Sequence, residues 1–244
     1  MKTHYYTATS IDGRIADEHD SLTWLFQLGT DPAVDDRYET FVAGIGALVM
    51  GSTTYEWLLR EEIRDDPGRW PYAQPTWVFS SRELPRVEGA DLRFVSGPVE
   101  PVHAEIAATV ADGQDLWLVG GGELVGMFLD AGLLDELHLA VAPVFLGAGA
   151  PLLPRRLVTP PLELVGCSRQ GPFAQLDHRA RPVPGGAGVQ GSGQRSANRS
   201  VAATSAALIS GSVQACPDVG ATTSSACGQA RCRSQAVTAG VQRS

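Results

Sequence analysis

Asp115 to Gly132 reads "DLWLVGGGELVGMFLDAG": a short apolar run, three consecutive glycines, then an apolar pattern of helical period. Glycine loses more conformational freedom on ordering than any other residue, so three together weaken both neighbouring elements. A tight turn accounts for one of them. Three suggest a ligand lying directly against the main chain. Where a strand runs into a helix, the first amides of the helix are unpaired and the helix dipole favours an anion. Gly120, Gly121 and Gly122 are therefore candidates for seating a phosphate pair. A turn in which glycine only permits unusual dihedrals is the ordinary alternative.

Two other stretches have a related character. "LVMGSTTYEWL" (48–58) is a buried-strand pattern, then Gly51, then hydroxyl residues at a helix start. Ser52, Thr53 or Thr54 could approach a phosphate or simply cap the helix. "WVFSSREL" (77–84) again ends an apolar run in hydroxyls, followed by Arg82. Ser80, Ser81 and Arg82 suit a phosphomonoester, and a solvated turn is the alternative. A dinucleotide fingerprint of the form G-x-G-x-x-G is not the explanation. It needs glycine where Val125 stands, and Gly126 comes one position late. No Ser/His/Asp triad and no metal-ligand spacing is legible, and Cys216, Cys227 and Cys232 match no zinc pattern.

The elements that must position these residues alternate. "THYYTATS" (3–10), "GALVMG" (46–51), "PTWVFSS" (75–81), "DLRFVS" (91–96) and "DLWLV" (115–119) read as strands, and "ELHLAVAPVFLG" (136–147) as one long strand. Helical patterns cover 35–44, the stretch after Gly51, 101–113 with Gly113 as its stop, and the stretch after Gly122. "LELVGCSR" and "FAQLDHRAR" read as a closing antiparallel pair. Strands alternating with helices predict an α/β fold: a mixed, mostly parallel sheet with helices on both faces and an antiparallel edge.

Composition divides the 244-residue chain. The last aromatic residue is Phe173, and 26 acidic residues face 13 basic ones within 1–180, so the folded body repels nucleic acid and anionic membranes. From 182 onward Gly, Ser, Ala, Thr and Gln dominate, with too little large apolar surface to offset the entropy of ordering. The expected organisation is one domain over 1–181 and a disordered low-complexity tail over 182–244. "MKTHYYTATS" has no apolar core of a signal peptide and no apolar run approaches a membrane span, which predicts a cytoplasmic protein.

With those segments in order, the chain resembles the dihydrofolate reductase superfamily, in particular the reductase domain of the riboflavin-biosynthesis deaminase–reductases. "ATSIDGRIA" (8–16), "VMGSTTYE" (49–56) and "LVGGGELVGMFLDAGLLDELHLAVAPVFLGAGAPLL" (118–153) carry the likeness, which covers about residues 3–181. It implies an NADPH site. Ala8 would meet the nicotinamide carboxamide through its main chain, with Ile15 and Ala16 beside the ring. Gly51, Ser52, Thr53 and Thr54 would lie along the phosphates, and Ser80, Ser81 and Arg82 near the adenosine 2′-phosphate. Gly120, Gly121 and Gly122, with the amides of Glu123 and Leu124, would hold the pyrophosphate. It further implies a cis peptide between Gly120 and Gly121. The implied activity is hydride transfer to a small heterocycle, as in 5-amino-6-(5-phosphoribosylamino)uracil reduction. Dihydrofolate reduction is the second candidate, and an NADP(H)-binding protein without turnover the candidate of another class. The substrate half departs from the pattern: Ser52 stands where dihydrofolate reductases carry an arginine, and Gly120 where the riboflavin reductase carries a glutamate.

Several residues keep two readings. Asp12 and Asp31 are candidate proton donors or turn residues. Trp24 could stack on a substrate ring or seal the core. His138 reads as a packing or solvent-facing residue, Cys167 as a small buried hydrophobe, and Gly147 and Gly149 as loop-shaping. The long strand from Glu136 could pair across a two-fold axis in a homodimer.

Overall fold

A computed structural model describes residues 1–29, 32–64 and 70–180. Asp31 and the 182–244 segment lie outside the described residues. The strands are β1 (Thr3–Thr9), β2 (Arg14–Ala16), β3 (Ile45–Gly51), β4 (Thr76–Phe79), β5 (Leu92–Val95), β6 (Asp115–Gly120), β7 (Glu136–Val141), β8 (Ala150–Pro151), β9 (Glu163–Gln170) and β10 (Phe173–Arg179). The helices are α1 (Thr23–Phe26), α2 (Pro32–Ala43), α3 (Ser52–Leu58, continued by a π-helical turn to Ile63), α4 (Val99–Thr109) and α5 (Gly122–Asp130).

Eight strands form one sheet in the order β5-β4-β3-β6-β1-β7-β10-β9. The first six run parallel, and β10 and β9 close the sheet antiparallel. β2 and β8 make a separate short pair. The mixed, mostly parallel α/β sheet is the architecture expected from the alternation of strand and helix patterns.

Strand alternation sends successive side chains to opposite faces. Tyr6, Leu48, Met50, Trp117 and Val119 face Tyr55, Trp57 and Leu58 of α3, with Phe41 of α2 against them. Tyr5, Ala47, Val49, Leu116 and Leu118 face Val102 and Ile106 of α4 and Val125 and Phe128 of α5. Because both faces are covered, the central strands read as continuous apolar runs rather than as alternation.

Four expectations need correction. The strand from Glu136 stops at Val141, because Pro143 brings no N–H to the ladder and Val144 N–H turns back onto the Ala142 carbonyl at 2.8 Å. β7 pairs with β1 on one side and β10 on the other, so both its edges are used and it cannot pair with a second copy. The helix expected over 101–113 ends at Thr109, where Val110 turns extended, and Gly113 serves the turn from Ala111 to Gln114 instead. Cys167 is exposed, not buried, since β9 is the sheet's edge strand and its outward positions meet little.

Candidate functional site

The order of the parallel strands decides where the sequence candidates meet. All six parallel strands end on one edge, and β4, β3, β6 and β1 are consecutive neighbours there. Ser80–Arg82 follow β4, Gly51–Thr54 end β3 and open α3, Gly120–Leu124 end β6 and open α5, and Ala8 is the last residue but one of β1. Adjacent strands are about 4.8 Å apart, so the four ends span roughly 15 Å in a line. From β3 the chain moves on to β4, and from β6 to β7 on the other side of β1. The connections therefore leave in opposite directions between β3 and β6. That divergence is the switch point at which open α/β sheets bind ligands.

At the switch point the two strands separate. Their register shifts between Val49 and Met50, so that Met50 opposes Gly120. Gly51 faces the Gly120–Gly121 peptide, its Cβ position 3.8 Å from the Gly120 carbonyl oxygen and 3.9 Å from the Gly121 nitrogen. The Cβ position of Gly120 lies 3.7 Å from Thr54 Oγ1. The Gly120–Gly121 peptide is cis, as the resemblance implies, and Gly120 has φ 141°, a value that L side chains rarely adopt.

Both helices at this point begin on glycine. Gly51 is the N-cap of α3 and Gly121 that of α5, and neither helix has a side-chain cap hydrogen bond. Ser52 is thus the first helical residue, which removes the simple capping reading of the Ser52–Thr54 run. Two sets of first-turn amides reach the same crevice without a side-chain oxygen on them, as an anion seat requires.

The third glycine has a different reason. A Cβ on Gly122 would stand 2.5 Å from the Pro151 carbonyl oxygen and 2.6 Å from that of Leu152. The chain's own backbone covers Gly122, which leaves the Gly120–Gly121 peptide, buried and facing Gly51, as the remaining main chain of the triplet. Arg155 lies over Gly126 and binds Glu123 with both terminal nitrogens, at 2.9 and 3.1 Å, and Asp130 at 2.7 Å. The Glu123 side chain is thereby tied to the outer face of α5.

Arg82 grips Glu56 through both terminal nitrogens, at 2.9 and 2.8 Å, and reaches Ser52 Oγ at 3.5 Å. The arginine therefore stands beside the position where dihydrofolate reductases carry theirs, with Glu56 as its present counter-charge. Ser80 Oγ donates to the Arg82 carbonyl at 2.8 Å and shapes the turn that delivers the guanidinium. Ser81 is exposed.

Ala8, Trp24, Leu25, Ala140, Ala142 and Phe173 form one cluster, so Trp24 packs beside the end of β1. Its buried indole N–H meets no partner among the described residues. Ile15 and Ala16 belong to a second cluster with Leu22 and Trp57. Leu22 and Trp57 also line a cleft of about 310 Å³ with His19, Ser21 and Arg60. Asp12 accepts hydrogen bonds from Ser10 Oγ at 2.6 Å, Leu146 N–H at 3.1 Å and Gly147 N–H at 2.8 Å. The Ser10 hydroxyl and these amides lower its pKa to about 2. It fastens the 144–149 loop to the β1–β2 turn, and a carboxyl that acidic is a poor proton donor at neutral pH.

A group of side chains unmarked in the sequence reading gathers at the opposite edge. His4 of β1 pairs in register with Glu136 of β7, and Tyr6 with His138. His4, Glu136 and His138 thus share a face, with Asp115, Asp177 and Lys2 around them. Glu136 and His138, two apart on β7, share a face by strand alternation, and the β1–β7 register brings His4 to them.

Comparison with known proteins agrees with this fold. The RibD C-terminal domain family matches residues 62–176. The uncharacterized Bacillus subtilis protein YwjB is 28% identical over 177 residues, covering 72% of this chain and 97% of that protein. A Shewanella sp. PV-4 protein named for riboflavin biosynthesis superposes with a TM-score of 0.62 at 26% identity, covering 74% of this chain and all of that one. The Thermotoga maritima diaminohydroxyphosphoribosylaminopyrimidine deaminase/5-amino-6-(5-phosphoribosylamino)uracil reductase shares the fold, with a TM-score of 0.51 at 17% identity, over 73% of this chain and 56% of that longer one. Family match, relatives and fold point the same way: over residues 62–176 this chain is similar to the RibD C-terminal domain, and its fold is that of the reductase-like structures.

Proposed function

We propose that this chain is an NADPH-dependent oxidoreductase that reduces a small heterocycle of the pyrimidine type, as in riboflavin biosynthesis. One observation carries the reading: four neighbouring strand ends present, in order, an arginine with serines, a glycine-capped helix start, a second glycine-capped helix start and the buried end of β1. That sequence of groups suits a phosphomonoester, a pyrophosphate and an uncharged ring laid along one edge.

The residues present fit the cofactor. The amides of α3 and α5 supply uncapped donors, the Gly51–Gly120 approach leaves no side chain between them, and Arg82 is the cation beside Ser52. Arg82 would exchange part of its pairing with Glu56 for the 2′-phosphate. Ala8 would orient the carboxamide through its main chain, and Ile15 and Ala16 would shield the ring from water. Bound there, the dihydronicotinamide supplies the hydride. Leu22 and Trp57 of the 310 Å³ cleft belong to the same packed cluster as Ile15 and Ala16, which supports assigning the substrate to that cleft. With Asp12 held ionised, water serves as the proton source. Trp24, beside the end of β1, keeps a buried indole N–H without a partner among the described residues and would serve as a donor for a ring substituent.

The test is fluorescence and absorbance. NADPH should quench the Trp emission and raise the melting temperature, and its absorbance band should fall when a ribosylaminopyrimidine is added but not with a flavin. No melting shift at millimolar NADPH refutes the cofactor site. Binding without oxidation across pyrimidine and pterin substrates refutes the reductase reading in favour of a binding protein.

A further inference from the structure

His4, Glu136 and His138 aim three ligand atoms at one point. His4 Nδ1 lies 3.1 Å from His138 Nε2 and 3.6 Å from Glu136 Oε2, and His138 Nε2 lies 3.7 Å from the same oxygen. Their side chains are 9%, 14% and 16% exposed. The outer atom of each is already engaged. His4 Nε2 meets Asp115 Oδ2 at 3.0 Å, His138 Nδ1 meets Asp177 Oδ1 at 2.7 Å, and Glu136 Oε1 accepts from Lys2 Nζ at 2.8 Å. Arg37 in turn holds Asp177, and the Lys2 amide donates to Asp115 at 2.6 Å.

The tautomers follow. A carboxylate only accepts, so His4 carries its hydrogen on Nε2 and His138 on Nδ1. Both rings then turn their other nitrogen inward, toward each other and toward a carboxylate oxygen. Three such atoms within 3.1–3.7 Å are held together by a metal ion or by a shared proton between them.

We propose that His4 Nδ1, His138 Nε2 and one oxygen of Glu136 bind a divalent transition-metal ion, with Zn²⁺ the best match. Tetrahedral ligands at zinc distances stand about 3.4 Å apart, in the middle of the three separations. Two imidazoles and one carboxylate disfavour the oxygen-seeking Ca²⁺ and Mg²⁺. Each ligand has the outer partner that fixes ring orientation in metal sites, Asp115 and Asp177 for the histidines and Lys2 for the carboxylate. Three protein ligands leave a fourth position for water or an added ligand. His138, with Tyr6, Arg37 and Phe41, also lines a cleft of about 380 Å³, which gives such a ligand an approach. The site lies at the start of β1, away from the glycine edge, and does not depend on the cofactor reading.

The probe is Co²⁺ added to the untagged, chelator-stripped full chain with its thiols alkylated, so that cysteines do not compete. One equivalent should bind with visible ligand-field absorption, and Zn²⁺ should displace it and raise the melting temperature. A His4→Gln/His138→Gln variant should lose the absorption and the melting shift. Asp177→Asn leaves all three ligands in place and should weaken Zn²⁺ binding about 10–100-fold, which keeps the test alive if the double variant does not fold. Absence of a one-to-one Co²⁺ complex overturns the proposal, as does equal binding by wild type and both variants. The three groups would then share a proton.

Discussion

Gly51 and Gly122 flank the same crevice, and replacing each with alanine should fail in opposite ways. At Gly122 the new methyl meets two backbone carbonyl oxygens at 2.5 and 2.6 Å and a carbonyl carbon at 3.0 Å. None of these is the end of a flexible side chain, so α5 or the Pro151–Leu152 backbone must move. Overpacking costs about 1–3 kcal/mol, and two backbone clashes place this case near the top of that range. Alanine returns at most about 1 kcal/mol of helix propensity, so the clash wins by about 2 kcal/mol. At about 2–4 °C per kcal/mol for a domain of this size, the melting temperature should fall roughly 4–8 °C. At Gly51 the methyl has nothing nearer than 3.8 Å, and φ −81° suits alanine. The fold loses only cap preference, at most about 1 kcal/mol. The methyl does stand over the strand ends where the phosphates are proposed to lie. Losing one charge-assisted amide contact, about 1.5–3 kcal/mol, should weaken NADPH roughly 10–100-fold. Thermal unfolding and fluorescence titration of the two variants read both effects. A Gly51→Ala protein that binds NADPH like wild type refutes the main-chain seat. A Gly122→Ala protein that melts within a degree of wild type refutes the packing argument.

Arg82→Ala should weaken NADPH about tenfold and leave NADH unchanged, the loss expected for an exposed ionic contact to one phosphate. Glu56→Gln should move the preference the other way by freeing Arg82, and unchanged NADPH/NADH ratios in both variants would show that the arginine does not read the 2′-phosphate. Asp12→Asn should lower the melting temperature at neutral pH. Because the folded-state pKa of Asp12 is depressed to about 2, its contribution exists above the ordinary value of 3.8 and disappears as pH falls toward 2. A wild-type/variant difference that persists at pH 2 would contradict the hydrogen bonds drawn to Ser10, Leu146 and Gly147.

The α/β architecture was legible because the strands of a doubly covered sheet are continuous apolar runs, and Gly51, Gly120 and Gly132 punctuate them. What the sequence could not show is adjacency. Nothing in 48–54 says that this strand lies beside 115–120 rather than beside 3–9, yet that neighbour relation makes two separate glycine ends one crevice. The same limit leaves the reason for Gly122 open in the sequence. A glycine needed for an incoming ligand and one needed for the Pro151 carbonyl look identical until the loop is placed. It also hid the histidines: His4 lies in "THYYT" and His138 in "ELHLA", 134 residues apart, and only the β1–β7 register superimposes them.

That register ties the two edges of the sheet together. β1 offers Ala8 at one end and His4 at the other, four residues or about 13 Å away along the strand. Ala8 pairs with Ala140 and His4 with Glu136, so one strand pairing sets the geometry of both the proposed ring site and the imidazole cluster. A one-residue slip would turn His4 and His138 to the other face and move Ala8 from its cluster at the same time. The β1–β7 alignment is therefore under a double constraint that the outer strands β9 and β5 escape. Zn²⁺ at His4 and His138 would fasten that alignment from its far end. Hydrogen exchange would expose the link: metal should slow the β1 amides at Ala8 as well as those at His4. If slowing stops short of Tyr6, the two edges are energetically independent and the shared register is only geometric.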